Sequence, residues 1–138
     1  MISTRGRYAL RVLVDLAKLQ DQGYIPMKTV AQRQGISLKY LEQILPILTK
    51  NKLVVGVHGK GGGYKINRAP EDIRVGDVLR LTENDLAPVA CLAEGAEECA
   101  KVESCSTISF WKGLNDVINE YLDSKTIADL TYENRIGG

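Results

Sequence analysis

The chain of 138 residues has one histidine, three cysteines, and no apolar run near the roughly 20 residues that a membrane helix needs. Its start, Met1-Ile2-Ser3-Thr4-Arg5, lacks the apolar stretch of a secretory signal. Both absences point to a cytoplasmic protein. The sole histidine, His58, lies far in sequence from every cysteine, so no thiol–imidazole pair is apparent, which argues against an enzyme. The run Gly59-Lys60-Gly61-Gly62-Gly63 lacks the Gly-Lys-Ser/Thr ending of a phosphate loop, and a strand-like segment follows it instead of a helix. A nucleotide site is therefore not expected. There is no internal repeat and no low-complexity segment.

What is present is ordinary in bulk and uneven in distribution. With 44% hydrophobic and 25% charged residues, the composition suits one compact domain, or a small domain with an appendage. The net charge of +1 conceals a division: twelve of 18 basic but only three of 17 acidic residues lie within positions 1–68. That part carries +9 and the remainder −8. A basic half beside an acidic half suits a polyanion-binding module joined to one that avoids polyanions.

Hydrophobic spacing predicts an amphipathic helix over 7–20, with Ser3 or Thr4 as its cap, ended by Gly23. Tyr24-Ile25-Pro26 reads as a short extended link. A short helix over 28–34 is followed by the turn Gly35-Ile36-Ser37, and Ser37 is a suitable N-cap for a helix over 38–51. In that helix Leu41, Ile44, Leu45 and Leu48 form a stripe, and Pro46 predicts a kink or break. The β-branched run Leu53–Val57 and the alternating Tyr64-Lys65-Ile66 flank the glycine-rich tip, which predicts a hairpin. A hairpin directly after a helix-turn-helix is the wing of a winged helix. Further helices are expected at about 75–82, 108–122 and 127–130. Phe110, Trp111, Leu114, Val117, Ile118, Tyr121 and Leu122 give the second a wide apolar face that needs a covering surface.

The expected fold is thus mainly α with a small β-hairpin wing: a winged helix-turn-helix plus a long helix whose apolar face the first helix or a second subunit must cover. Residues 1–70 form the DNA-binding part, 71–130 the cysteine-bearing loop and the long helix, and 131–138 a flexible polar tail.

All three cysteines, Cys91, Cys99 and Cys105, lie in one 15-residue stretch, spaced Cys-x7-Cys-x5-Cys. In a reducing compartment an odd cluster of thiols suggests metal or redox chemistry in place of a disulfide. Thiolates suit iron–sulfur clusters and zinc. The spacing matches neither the Cys-x2-Cys pairs of structural zinc nor the common ferredoxin patterns. Free thiols, buried or redox-active, are the alternative. A fourth ligand could come from Asp85, Glu94, Glu97, Glu98 or Glu103, from a second subunit, or from an exogenous molecule.

Three segments carry a resemblance: Ser3-Thr4-Arg5-Gly6-Arg7-Tyr8-Ala9-Leu10, Gly35-Ile36-Ser37-Leu38-Lys39-Tyr40-Leu41-Glu42-Gln43, and Gly59-Lys60-Gly61-Gly62-Gly63-Tyr64. They are similar to the iron–sulfur cluster regulator (IscR) family of bacterial transcription regulators, and the resemblance runs to about residue 130. It implies a homodimer joined by a long helix, here Phe110 to Leu122. It also implies a 2Fe–2S cluster, or alternatively a 4Fe–4S cluster, on Cys91, Cys99 and Cys105, whose occupancy controls DNA binding. Glu42 would be a carboxylate that discriminates among sites. Two ligand positions depart from the pattern. The histidine that the cluster regulators carry three residues after the third cysteine is Ile108 here. The first-helix aspartate of the nitric-oxide-sensing branch aligns with Arg7. At the wing, His58 stands where arginine is usual, so its charge there is conditional and not permanent.

On this reading the partners are a near-palindromic duplex DNA operator and a second copy of the chain. Gln43 reads adenine in the major groove. Lys39, Lys60, Arg5, Arg7 and Arg11 neutralise phosphates, with Lys28, Ser37, Tyr40 and His58 completing the surface. Gain or loss of the cluster would order or free residues 88–106 and shift the two recognition helices. The regulated process would be iron–sulfur cluster biogenesis. A nitric-oxide-sensing 4Fe–4S repressor, and a thiol-based cysteine-metabolism regulator that docks a partner enzyme, are the alternatives.

Overall fold

The computed structural model describes residues 2–83, 86–88 and 107–137. Six helices and one hairpin follow in chain order: α1 (Thr4–Lys18), α2 (Met27–Gln34), α3 (Leu38–Lys50), β1 (Val54–Val57), β2 (Gly63–Ile66), α4 (Val75–Thr82), α5 (Ile108–Ser124) and α6 (Ile127–Gly137). The expected class, mainly helical with a hairpin wing, is the observed one.

Ser3 starts α1 by accepting a hydrogen bond from the Gly6 amide at 3.2 Å, which satisfies one of the free donors of the first turn. The helix buries Ala9, Val12, Leu13, Leu16 and Ala17, the 3–4 spacing visible in the sequence. Gly35 closes α2 in the left-handed conformation, φ 64°, which a residue without Cβ adopts at little cost. Two residues later Ser37 caps α3, accepting from the Tyr40 amide at 3.1 Å. Leu41, Ile44, Leu45 and Leu48 then face the core formed with Leu13 and Leu16.

No break occurs at Pro46, and α3 runs through it to Lys50. Proline removes the donor that the Glu42 carbonyl would have received. Glu42 and Pro46 are both exposed, so the lost bond lies on the solvent side while the buried stripe holds the helix together. Farther on, Thr49 Oγ1 donates to the Leu45 and Pro46 carbonyls at 3.0 and 3.2 Å.

β1 and β2 pair antiparallel, with Val54 opposite Ile66 and Val57 opposite Gly63. The link before α2 is more than a spacer. The Ile25 amide donates to the Tyr64 carbonyl and the Tyr64 amide to the Ile25 carbonyl, both at 2.8 Å, fastening the hairpin to the start of the helix-turn-helix. Gly63 permits this approach, since a Cβ there would fall onto the Ile25 backbone.

α1 also packs on α4 and α6. The turn between α5 and α6 pairs with the strand-like approach to α4: the Val75 amide donates to the Lys125 carbonyl and the Ile127 amide to the Ile73 carbonyl, each at 2.9 Å. Ile127 is fully buried in the same core as Leu13 and Ile44. Thr126 and Asp129 cap α6 reciprocally, Thr126 N donating to Asp129 Oδ2 at 2.9 Å and Asp129 N to Thr126 Oγ1 at 3.2 Å. The helix expected over 127–130 continues to Gly137, because nothing between Ile127 and Ile136 is a glycine or proline. Among the described residues no helix is long and apolar enough to cross a membrane.

Candidate nucleic-acid interface

α3 presents Leu38, Lys39, Glu42 and Gln43 to solvent from its first two turns, next to the exposed cap Ser37. Leu38 is apolar yet 42% exposed at the helix start. Lys28 is exposed on the first turn of α2. His58 and Lys60 are exposed at the hairpin tip, where the Gly62 amide donates to the Gly59 carbonyl at 3.0 Å. The hairpin is braced by Lys65, whose ammonium lies 4.8 Å from the Tyr24 ring centre.

Tyr40 is placed differently from its neighbours. It is half-buried, with its ring set edge-on to that of Tyr8 at 5.5 Å. It therefore ties α3 to α1 and is less open to solvent than Lys39 or Gln43. The arginines of α1 divide as well. Arg7 is exposed and bonds only locally, to Thr4 Oγ1 at 3.2 Å. Arg5 donates through Nη2 to the Thr82 carbonyl at 2.8 Å, closing the end of α4. Arg11 donates to the side chain and carbonyl of Gln34, the last residue of α2, and lies 5.2 Å from the Tyr8 ring centre.

Two polar connections escaped the sequence reading. Glu83 accepts from Ser3 N at 2.8 Å and from Ser3 Oγ at 2.7 Å, so the start of α1 is fastened to the end of α4. Asp15 is 2% exposed and pairs with Arg33 of α2 at 2.9 Å. Its signal was legible: an acid set among Val12, Leu13 and Leu16 on the apolar side of α1 requires a buried partner.

The candidate metal ligands Cys91, Cys99 and Cys105 lie outside the described residues, as do Asp85, Glu94, Glu97, Glu98 and Glu103. Among the described residues no group of three histidine, cysteine or acidic side chains is poised to hold a metal ion. The donor set fits a thiolate-held iron centre in chemistry, since three soft ligands fall within 15 residues. Ile108, the first residue of α5, carries no donor atom, and the protonated guanidinium of Arg7 offers no lone pair.

α5 joins α4 through Leu122, which packs against the cluster of Val75, Leu79 and Leu86, and through a polar network. Arg80 of α4 donates to both Asp123 carboxylate oxygens, at 2.8 and 3.0 Å, and to Asn119 Oδ1 at 2.9 Å. The hydrogen bond from Arg80, reinforced by its charge, holds the Asp123 carboxyl below the usual carboxylate range; reciprocally, the Arg80 pKa is raised. On α5, Phe110, Val117 and Tyr121 are more than 60% exposed, and Phe110 stacks edge-on to Trp111 at 4.9 Å.

The profile of the Rrf2 family, described as an iron-dependent transcriptional regulator, matches residues 2–133. A protein named HTH-type transcriptional regulator IscR from Erwinia tasmaniensis is 36% identical over 135 residues, covering 98% of this chain and 81% of that protein. Its namesake from Aliivibrio salmonicida is 34% identical, covering 98% and 79%. Among solved structures, T. potens IscR superposes with a TM-score of 0.75 at 34% identity, covering 97% of this chain and 88% of that one. CymR, the global cysteine regulator of B. subtilis, superposes with a TM-score of 0.79 at 36% identity, covering 96% and 97%.

Proposed function

Since the chain belongs to the Rrf2 family of iron-dependent transcriptional regulators, it is a DNA-binding transcriptional regulator, and we propose that it acts in the cytoplasm as a homodimeric repressor of iron–sulfur cluster biogenesis genes. The observation that carries the DNA-binding surface is the exposed start of α3 beside a glycine-rich basic wing. Residues 1–70 serve as the DNA-binding part and 71–130 as the signalling and dimerisation part. Gln43, exposed on α3, reads adenine through its paired donor and acceptor. Arg7, Lys28, Lys39 and Lys60 meet phosphates, and His58 approaches the groove wall from the wing. Arg5 is assigned mainly to closing α4, with its remaining donors available to a phosphate. Ser37 and Tyr40 position α3, and Glu42 disfavours sites that present acceptors to it. The exposed apolar face of α5 supports its role as the contact between subunits.

Cys91, Cys99 and Cys105 hold an iron–sulfur cluster in this reading, 2Fe–2S in preference to 4Fe–4S. When bound, the cluster supplies a redox-active iron centre open to the cell's iron, oxygen or nitric oxide. The chain's own part is to transmit that state. Glu83 precedes the cysteine segment and holds Ser3, and Arg80 holds α5, so both neighbours of the segment are fastened to α1 or α4. A second reading, a cysteine-metabolism regulator using its thiols directly, is favoured by the likeness to CymR.

The experiment is Gln43→Ala measured against operator variants. Affinity for the preferred operator should fall by about 1–3 kcal/mol, with relaxed preference at the adenine position. Unchanged sequence preference would remove Gln43 from base reading.

A further inference from the structure

A pocket of about 280 Å³ opens between α1, the end of α2 and α6, away from the base-reading face of α3. We propose that it binds a small zwitterion of the α-amino-acid class and that occupancy is transmitted to the turn of the helix-turn-helix.

Asp15 is one of the residues that line the pocket. Its Oδ1 meets Arg33, but Oδ2 is buried with no hydrogen-bond partner. Native interiors rarely leave such an acceptor unmet, because it has lost water and gained nothing. An ammonium group is the donor that would satisfy it best, being charged and small. Lys18 lines the same pocket, is exposed and makes no ion pair among the described residues. It calls for an anion. Leu10, Val14 and Leu130 complete the wall with half-buried aliphatic surface. An ammonium for Asp15, a carboxylate for Lys18 and a short apolar side chain describe a small amino acid. A lone anion would face the Asp15 charge. A metal ion would find one free carboxylate oxygen surrounded by Arg11, Lys18 and Arg33.

The pocket reaches the recognition helix through one residue. Gln34 lines it, accepts two hydrogen bonds from Arg11, and immediately precedes the Gly35 turn into α3. A ligand carboxylate near Arg11 competes for those bonds and so acts on the turn. This coupling rests on the DNA-binding reading above, whereas binding at the pocket does not. Linkage requires that DNA alter ligand affinity by the same factor as the ligand alters DNA affinity.

The test adds each of the common L-amino acids singly, at millimolar concentration, to the full chain and records Tm. A subset with small apolar side chains should raise Tm by several degrees, as a ligand selective for the folded state does. Lys18→Ala, an exposed change outside the DNA surface, should leave the unliganded Tm unchanged and weaken binding at least tenfold; Asp15→Asn should weaken it further. If no amino acid shifts Tm, or if Lys18→Ala binds as the parent does, the pocket assignment fails. Operator Kd with and without the binding amino acid should differ severalfold; an unchanged Kd, with the Tm shift present, overturns the coupling.

Discussion

Raising the salt from about 50 to about 200 mM should weaken operator binding roughly ten-thousandfold. The expectation comes from counting cations free to meet phosphates. Arg7, Lys28, Lys39 and Lys60 are all exposed, and none forms an ion pair among the described residues. A dimer thus offers about eight contacts, and counterion release at about 0.9 per contact gives a slope near −7 in log affinity against log salt. The arginines of α1 sharpen the test. Lys60→Ala, removing two contacts per dimer, should flatten the slope by about 2. Arg5→Ala should flatten it less, because Arg5 bonds the Thr82 carbonyl, and should instead lower Tm. A slope near zero in the parent protein would show that the basic face does not bind a polyanion.

Replacing Cys99 by Ala should remove the visible absorption of anaerobically purified protein, together with its iron and sulfide. Two thiolates cannot replace three where neither Ile108 nor Arg7 offers a donor atom. The parent should contain about two irons and two sulfides per chain for a 2Fe–2S cluster, or about four of each for the nitric-oxide-sensing alternative. The variant should also lose any difference in operator affinity between iron-loaded and iron-stripped protein, while still binding DNA. Retention of iron and sulfide by Cys99→Ala would remove Cys99 from the ligand set. A colourless parent whose DNA affinity responds to oxidant would favour direct thiol sensing.

Much of the fold was legible because its signals are local. Ser3 and Ser37 cap helices, Gly35 takes a left-handed turn, and Leu41, Ile44, Leu45 and Leu48 repeat at helical spacing. The hairpin follows from the β-branched run before the glycine tip and the alternating Tyr64-Lys65-Ile66 after it. Two readings fell short. Pro46 predicts a kink or break; no break occurs, because its missing donor falls on the exposed side of a helix whose other face is buried. The extent of α6 was underestimated: polar residues suggested a tail after Leu130, yet no glycine or proline stops the helix before Gly137.

The candidate site was legible in residue type and less so in placement. Lys39, Gln43, His58 and Lys60 are exposed, as a groove-facing surface needs. Charge alone could not separate Arg7 from Arg5 and Arg11, since their roles depend on which carbonyl lies nearby: Thr82 for Arg5, Gln34 for Arg11. Tyr40 carries no sequence mark of its packing on Tyr8 beyond an aromatic in each helix. The clustered cysteines suggest metal or redox chemistry without naming a fourth ligand, and they lie outside the described residues.

The most direct test of cluster-controlled operator binding is selection from a randomised duplex pool by iron-loaded and iron-stripped protein in parallel. The account predicts enrichment of a two-fold-symmetric site, and an affinity for it that differs between the two preparations. Failure to enrich any sequence, or equal affinity of both preparations for the enriched site, would contradict it.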